Sequence, residues 1–171
     1  MNTLVVYATK HGTTGKCASM LEKKLEGKVQ LHNLKEGKAP QLDQYSKVII
    51  GGSIYAGRIQ KEVSEFCSQN INELKNKKLG LFICCMSDDN IDKQLTDSFP
   101  QELLNCSIAK EGFGGELLLS KMNFFERFII KMVSKAKVKE KGNDSKVDIN
   151  KDNSMILHQN IEKFAGSINN A

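Results

Sequence analysis

Residues 9–14 read Thr-Lys-His-Gly-Thr-Thr and follow a short apolar run at residues 4–8. The apolar run has the length and composition of a buried strand. The residues after the loop, 15–26, are amphipathic and predict a helix. The chain therefore begins with a strand, a polar loop and a helix, which is the first part of a βαβ unit.

The same alternation of short apolar runs and longer amphipathic stretches continues along the chain. Further strands are predicted at residues 29–34, 47–52, 79–86, 106–109 and 115–119. Further helices are predicted at residues 61–69, 91–104, 124–137 and 153–167. Strands that alternate with helices predict a parallel sheet with right-handed crossovers and helices on both faces. The pattern indicates a single domain, residues 1–171, of the doubly wound α/β class, with residues 137–151 as a surface loop.

The composition is that of an ordinary soluble domain. Of the 171 residues, 40% are hydrophobic and 26% are charged. The longest apolar run, residues 79–86, is far shorter than the roughly 20 residues of a membrane-spanning helix. The first residues contain no basic stretch and no small-residue cleavage site, so we expect no signal peptide and a cytoplasmic location.

The cysteines show no metal-binding pattern. There are five, an odd number, without a Cys-x-x-Cys pair, and the three histidines are far apart in the sequence. Cys84 and Cys85 lie in an apolar run, where a thiol behaves as a small hydrophobic group. We interpret the cysteines as packing residues and predict no metal site.

The positive charge is concentrated in one segment. Residues 121–141 contain seven basic and two acidic residues, which equals the net charge of +5 of the whole chain. Seven apolar residues of this segment form a broad stripe on the predicted helix, at positions 124, 125, 128, 129, 132, 133 and 136. The stripe packs against the sheet, or part of it, together with the lysines, lies on an anionic membrane or a lipophilic acceptor; the two interpretations are compatible. The sequence leaves both interpretations open.

The loop at residues 9–14 has the composition of a phosphate-binding site. A helix N-terminus offers unpaired amides and a favourable dipole to an anion, and the hydroxyls of Thr9, Thr13 and Thr14 add neutral donors. Gly12 lets the backbone approach a ligand closely. The chain lacks the spacing G-x-x-x-x-G-K-[ST] of nucleoside triphosphate hydrolases and the spacing G-x-G-x-x-G of dinucleotide-binding proteins.

Two further loops are expected beside the first. Ligands of open parallel sheets bind where the strand order reverses, which in the order 2-1-3-4-5 is between the first and third strands. The loop after the third predicted strand contains Ser53, Ile54, Tyr55, Ala56 and Gly57 and offers an aromatic ring. The loop after the next strand contains Ser87, Asp88, Asp89 and Asn90. The two aspartates have the look of a metal-binding pair, but a solvated helix start explains them better. A phosphate site, an aromatic wall and a polar edge together predict a site for flavin mononucleotide (FMN).

The first loop resembles the flavodoxin signature T-x-T/S-G-x-T, except that His11 replaces the usual hydroxyl residue. Within that family, residues 48–57, Glu65-Phe66 and residues 125–132 are similar to the flavodoxin-like menaquinone-dependent protoporphyrinogen oxidases. The resemblance implies an FMN whose phosphate is held by Thr9, His11, Gly12, Thr13 and Thr14, with Lys10 as a further cofactor-binding residue of the same loop. It also implies that residues 53–57 flank the flavin ring and that residues 87–90 contact its pyrimidine side. No residue is indicated as a catalytic acid or base, because the flavin performs the chemistry.

Three functions are open as hypotheses. The leading one is an FMN-dependent oxidoreductase that passes electrons from a porphyrinogen to a quinone. The second is an electron carrier between protein partners, although a sequence pI of about 8.9 differs from the acidic docking faces usual for such carriers. The third is a flavin-free module that binds lipid or nucleic acid. Nucleic acid is disfavoured because no nucleic-acid-binding motif accompanies the lysines.

Overall fold

The computed structural model describes residues 2–55, 57–86, 90–128, 132 and 151–171. The strands are β1 Asn2–Ala8, β2 Lys28–Asn33, β3 Lys47–Tyr55, β4 Arg58–Ile59, β5 Lys78–Cys84, β6 Ser107–Gly112, β7 Gly114–Leu117 and β8 Asn153–Ile156. The helices are α1 Thr13–Glu22, α2 Lys61–Gln69, α3 Ile71–Leu74, α4 Ile91–Ser98, α5 Gln101–Cys106, α6 with helical residues 124–128, and α7 His158–Asn169. Short 3-10 turns occupy Leu42–Gln44 and Leu119–Lys121.

The main sheet has its parallel strands in the order β2-β1-β3-β5-β6. β1 lies between β2 and β3, with Val5 opposite Leu31 on one side and Ile49 on the other. Counted along the chain, the parallel strands have the order 2-1-3-4-5, which confirms the predicted fold class. The order reverses between β1 and β3. The carboxyl ends of these two strands, at Ala8 and Tyr55, therefore mark the place where a ligand is expected.

Helices cover both faces of the sheet because the side chains of each buried strand alternate between the faces. The face that carries Leu4 and Ile50 belongs to the core formed with α2, α3, α4 and α5. The opposite face, which carries Val5 and Ile49, packs against α1 and α7. The strands that carry the first two predicted loops are thus held from both sides.

Two of the predicted helices are wrong in part. The helix predicted at residues 91–104 is interrupted, because Phe99 is extended before Pro100 and α5 begins at Gln101. The helix predicted from residue 153 begins only at His158, and the preceding residues form β8. β8 pairs antiparallel with β7 in a second, two-stranded sheet. That pairing is a long-range contact, which local periodicity does not report.

The segment predicted as a loop at residues 53–57 belongs largely to a hairpin. Ser53, Ile54 and Tyr55 are the last residues of β3, and Ile54 pairs with Ile59 of β4. Gly57 turns the chain with a φ of +76°, a conformation that glycine adopts without strain. Strand pairing therefore fixes the backbone of Tyr55.

The cysteines lie in the packed core or, for Cys106, beside it. None of them forms a disulfide; Cys106 is half-buried and the other four are buried. Burial raises the pKa of the Cys67 thiol to about 12, so this thiol is protonated at neutral pH. Among the described residues, no three side chains of metal-binding type lie together.

The part of the chain that the structure describes contains no helix with both the length and the apolar character needed to cross a bilayer.

Candidate functional site

The loop at residues 9–14 presents backbone amides at the start of α1. Gly12 has a φ of +99°, and its amide donates a hydrogen bond of 3.0 Å to Thr9 Oγ1. The amides of Thr13 and Thr14, the first two residues of α1, have no acceptor among the described residues. This is the arrangement of donors that an anion requires at a helix N-terminus.

The three threonine hydroxyls of this loop differ in their surroundings. Thr9 Oγ1 already accepts from the Gly12 amide. Thr14 is completely buried, and its Oγ1 has no hydrogen-bond partner in the described part of the chain. Thr13 Oγ1 donates to Glu116 Oε2 over 3.3 Å. The backbone amides are therefore the more available donors, and the hydroxyl of Thr13 is engaged by a carboxylate.

The end of β3 supplies the second predicted element of the site. Ser53 Oγ is buried and without a hydrogen-bond partner among the residues described. Tyr55 is half-buried at the rim. Its ring lies under the Lys10 ammonium group, with Nζ 3.6 Å from the ring centroid. The structure thus brings the first and second predicted loops together at the point where the strand order reverses.

Glu126, which the sequence analysis did not single out, joins these two loops. Its Oε1 lies 2.6 Å from Lys10 Nζ and accepts a hydrogen bond of 3.4 Å from the Tyr55 hydroxyl. His11 Nε2 is 3.7 Å from the same oxygen, and it is buried without a hydrogen-bond partner among the described residues. Glu126 itself is buried, with 6% of its surface exposed.

The same carboxylate also caps α6. Glu126 Oε2 accepts from the Asn123 amide over 3.0 Å, and the Glu126 amide donates to Asn123 Oδ1 over 2.9 Å. This reciprocal pair is a capping box. The spacing Asn-x-x-Glu was the available sequence signal for a helix start here, but nothing local indicated that Glu126 reaches the first loop.

The charged groups of this cluster shift one another's pKa values. The hydrogen bond from Lys10 is the main cause that lowers the pKa of Glu126, and the same bond raises the pKa of Lys10. Burial lowers the pKa of His11 despite the nearby Glu126 carboxylate. At neutral pH the site therefore contains an ionised Lys10–Glu126 pair and a neutral imidazole.

A second carboxylate, Glu116 of β7, lies on the other side of the first loop. Glu116 Oε1 lies 2.6 Å from Lys16 Nζ and accepts from Ser154 Oγ over 3.1 Å. Burial favours a higher pKa for Glu116, but the hydrogen bonds from Lys16 and Ser154 outweigh it and the pKa lies below its usual value. Sequence reasoning missed this residue too.

Two glycines at the start of β7 allow Glu116 to reach that position. Gly114 has a φ of +70°, and a Cβ placed there would lie 1.9 Å from the carbonyl oxygen of Met155. A Cβ on Gly115 would lie 2.8 Å from the Cys85 carbonyl carbon. Only glycine permits this approach of backbone to backbone, which seats β7 beside the end of β5.

The third predicted loop is described in part. Ser87, Asp88 and Asp89 lie outside the described residues, as does Ala56 of the second loop. Asn90 is exposed and directly precedes α4 with a φ of +69°. Its carbonyl accepts the first α4 bond, from Gln94 at 2.9 Å, but its side chain makes no capping bond.

The apolar stripe does not pack as core where the structure describes it. Phe124, Phe125, Phe128 and Met132 are 88%, 68%, 54% and 59% exposed. Core packing is therefore wrong for these four residues, because Glu126 and not the aromatic side faces the domain. The predicted stripe residues 129, 133 and 136 lie outside the described part of the chain.

Comparison with known proteins places the chain in a sequence family. The family model described as "Flavodoxin domain" matches residues 4–145. Protoporphyrinogen IX dehydrogenase [quinone] of Escherichia coli (strain K12) is 24% identical over 148 residues, which cover 79% of this chain and 80% of that protein. The protein of the same name from Leishmania major is 25% identical over 142 residues, 77% of this chain and 62% of its own length.

Solved structures agree on the fold. A flavodoxin of Streptococcus pneumoniae TIGR4 has a TM-score of 0.53 at 14% identity, covering 98% of this chain and 97% of that one. Rubredoxin oxygen:oxidoreductase of Desulfovibrio gigas has a TM-score of 0.51 at 17% identity, covering 81% of this chain but 35% of that one. At these identities the likeness concerns the fold alone.

Proposed function

Because the chain belongs to the flavodoxin domain family, we propose that it binds one FMN at the carboxyl ends of β1 and β3 and uses it for oxidation–reduction. The observation that carries the proposal is the pair of Thr13 and Thr14 amides, which have no acceptor in the described part of the chain and lie at the strand-order reversal. The buried and unpartnered Ser53 Oγ adds a donor at the neighbouring strand end. These groups fit a ligand with a phosphate at one end and a polar ring at the other.

The residues present would share the work of holding FMN. The amides of Thr13 and Thr14 and the loop hydroxyls would bind the phosphate, with Gly12 allowing the close approach. The flavin ring would be flanked by Ser53, Ile54, Tyr55, Ala56 and Gly57, and its pyrimidine side would meet Ser87, Asp88, Asp89 and Asn90. Bound FMN supplies the electron-accepting group. Lys10 covers one face of the Tyr55 ring, so a ring stacked on that face requires Lys10 to move away from it.

The first test is the flavin itself. The purified chain is expected to carry a flavin absorption spectrum, or to acquire one from added FMN, and mass spectrometry of the released compound is expected to give the mass of FMN. A properly folded chain that stays colourless with micromolar FMN contradicts the proposal.

For the substrate, we favour a porphyrinogen as electron donor and a quinone as electron acceptor. Support comes from the two relatives named protoporphyrinogen IX dehydrogenase [quinone] and from the exposed aromatic residues of α6, which suit a lipophilic reactant. Anaerobic turnover of protoporphyrinogen with menaquinone tests this. A flavin-loaded chain that is inert with both contradicts it.

A carrier function is the second candidate. The exposed face of α6 begins two residues from Glu126, which contacts both Lys10 and Tyr55, so a protein docked on that face would lie near the bound flavin. Electron relay from a reductase to an acceptor protein, without turnover of a small substrate, would distinguish a carrier from the oxidoreductase.

We propose that α6 lies on a membrane surface. The exposed residues Phe124, Phe125 and Phe128 lie within the segment 121–141, whose net charge equals that of the whole chain. Aromatic side chains beside lysines favour the interface of a bilayer with anionic lipids. The proposed location is the cytoplasm, at the inner face of the membrane.

A further inference from the structure

Glu116 occupies an unusual position for a domain that binds a phosphate dianion. Its carboxylate accepts a hydrogen bond from the hydroxyl of Thr13, a member of the proposed phosphate loop. It accepts another from the ammonium group of Lys16, one helical turn further along α1. Both partners would otherwise be free to favour an anion at the start of α1. The carboxylate is held in place, since its side chain is only 7% exposed and Ser154 is a third partner.

We infer that Glu116 lowers the affinity of the site for the phosphate group of FMN, so that FMN is favoured over phosphate-free flavin less than the loop alone would allow. The inference rests on the proposed function. A negative charge fixed beside the loop repels the dianion, and it also neutralises Lys16, so both effects act in the same direction. Phosphate-free flavin, which presents no dianion to the loop, is not affected by this charge.

The test compares two ligands that differ only in the phosphate. Kd values of the flavin-free chain for FMN and for riboflavin are measured by quenching of flavin fluorescence at low ionic strength. Glu116→Gln is expected to tighten FMN binding by roughly tenfold while riboflavin binding changes less than about twofold. Raising the salt concentration is expected to shrink the difference.

Lys16→Met is expected to change the affinity for FMN in the opposite direction. It removes the compensating charge and leaves Glu116 in place, so it is expected to weaken FMN binding by roughly tenfold and to spare riboflavin. Because the Lys16 side chain is 51% exposed, this variant is expected to fold even if a change at the less exposed Glu116 does not.

The chain offers a matched control at the other end of α1. Glu162 lies 2.7 Å from Lys24, which follows the last turn of α1. Lys24 is eight residues beyond Lys16, or about 12 Å along a helix. Glu162→Gln makes the same charge change and is expected to leave both Kd values unaltered.

The outcomes separate the two proposals. A wild-type chain that binds neither FMN nor riboflavin contradicts the proposed function. If wild type binds FMN but Glu116→Gln weakens it, or shifts FMN and riboflavin equally, Glu116 supports the loop structurally and the inference is wrong. An unchanged FMN-to-riboflavin ratio in Lys16→Met also overturns it.

Discussion

The ammonium group of Lys10 lies 3.6 Å above the centre of the Tyr55 ring, and Glu126 fixes it there at 2.6 Å. A cation over an aromatic face is an attractive pairing. The two residues come from the two loops in which the sequence predicts phosphate and ring binding. Lys10 is therefore a positive charge held at the rim where the flavin ring is proposed to lie.

Lys10→Gln is expected to lower the reduction potential of the bound flavin. Positive charge near the flavin favours its anionic reduced form. Without Lys10, the negative charge of the Glu126 carboxylate is no longer neutralised by its ion-pair partner and disfavours that form. A shift of roughly 40 mV, equivalent to about 1 kcal/mol for one electron, is the expected size. Spectroscopic redox titration measures it. Lys163→Gln, on the exposed side of α7, is the control, and a potential that rises in Lys10→Gln contradicts the prediction.

Glu126 is expected to make stability depend on pH. Its pKa in the folded chain is lowered, chiefly by the hydrogen bond from Lys10. A carboxyl with a depressed folded pKa stabilises the fold above its unfolded value, about 4.3, and this contribution is lost as the pH falls through the folded pKa. Glu126→Gln should therefore reduce the free energy of unfolding by about 1–2 kcal/mol at pH 7 and by progressively less below pH 5.

Urea unfolding of the wild-type chain and of Glu126→Gln between pH 7 and pH 3 measures the difference in their free energies of unfolding. Glu65→Gln, which removes an exposed partner of Lys61 in the same helix, is expected to have little effect at any pH. A stability difference that stays constant from pH 7 to pH 3 would assign the role of Glu126 to the uncharged capping bonds alone.

Gly12→Ala is expected to destabilise the first loop. The φ of +99° disfavours any residue with a Cβ, at a cost of about 1–2 kcal/mol. Space is not the cause, because the nearest atom to the added Cβ would be Lys121 Nζ at 3.7 Å. FMN affinity should fall with the altered loop. Gly166→Ala in α7 has no atom within 4 Å of the added carbon and is expected to stabilise by about 0.5–1 kcal/mol.

Replacing Phe124 and Phe125 by serine is expected to weaken binding to vesicles of anionic lipid by about tenfold or more, since each phenyl group contributes about 1 kcal/mol or more when it enters an apolar phase. Thermal stability should change little, because both rings are exposed. Co-sedimentation with anionic and with neutral vesicles measures the loss. Ile108→Ser, at an exposed position of β6, should bind vesicles as wild type does; equal losses in both variants contradict a role for the aromatic face.

The sequence predicted those features that depend on neighbours along the chain. Residues 4–8 and 48–50 are apolar throughout, so their burial in parallel strands follows from composition, and Gly12 with its threonines marks the start of α1. The order of the strands then followed from the α/β class and the family resemblance.

Contacts between distant parts of the chain were beyond local reasoning. Thr13 and Glu116 are 103 positions apart, and Tyr55 and Glu126 are 71 apart. In the sequence, nothing near Glu116 distinguishes it from a surface glutamate. Its position in the site depends on the glycines before it, which allow β7 to approach β5 in the folded chain. The apolar period of α6 likewise predicted a helix with two unlike faces, but a period alone does not say which face meets the domain.

The small β7–β8 ladder brings Leu117 opposite Asn153, so the two ends of the connection between them are held together by strand pairing. The closing strand pair fixes the ends, and the entropy of the connection varies only with the logarithm of its length. Changes in the length of residues 133–150 are accordingly expected to cost little closure entropy, whereas residues 119–128 have to be kept, because they bring Glu126 to Lys10 and Tyr55.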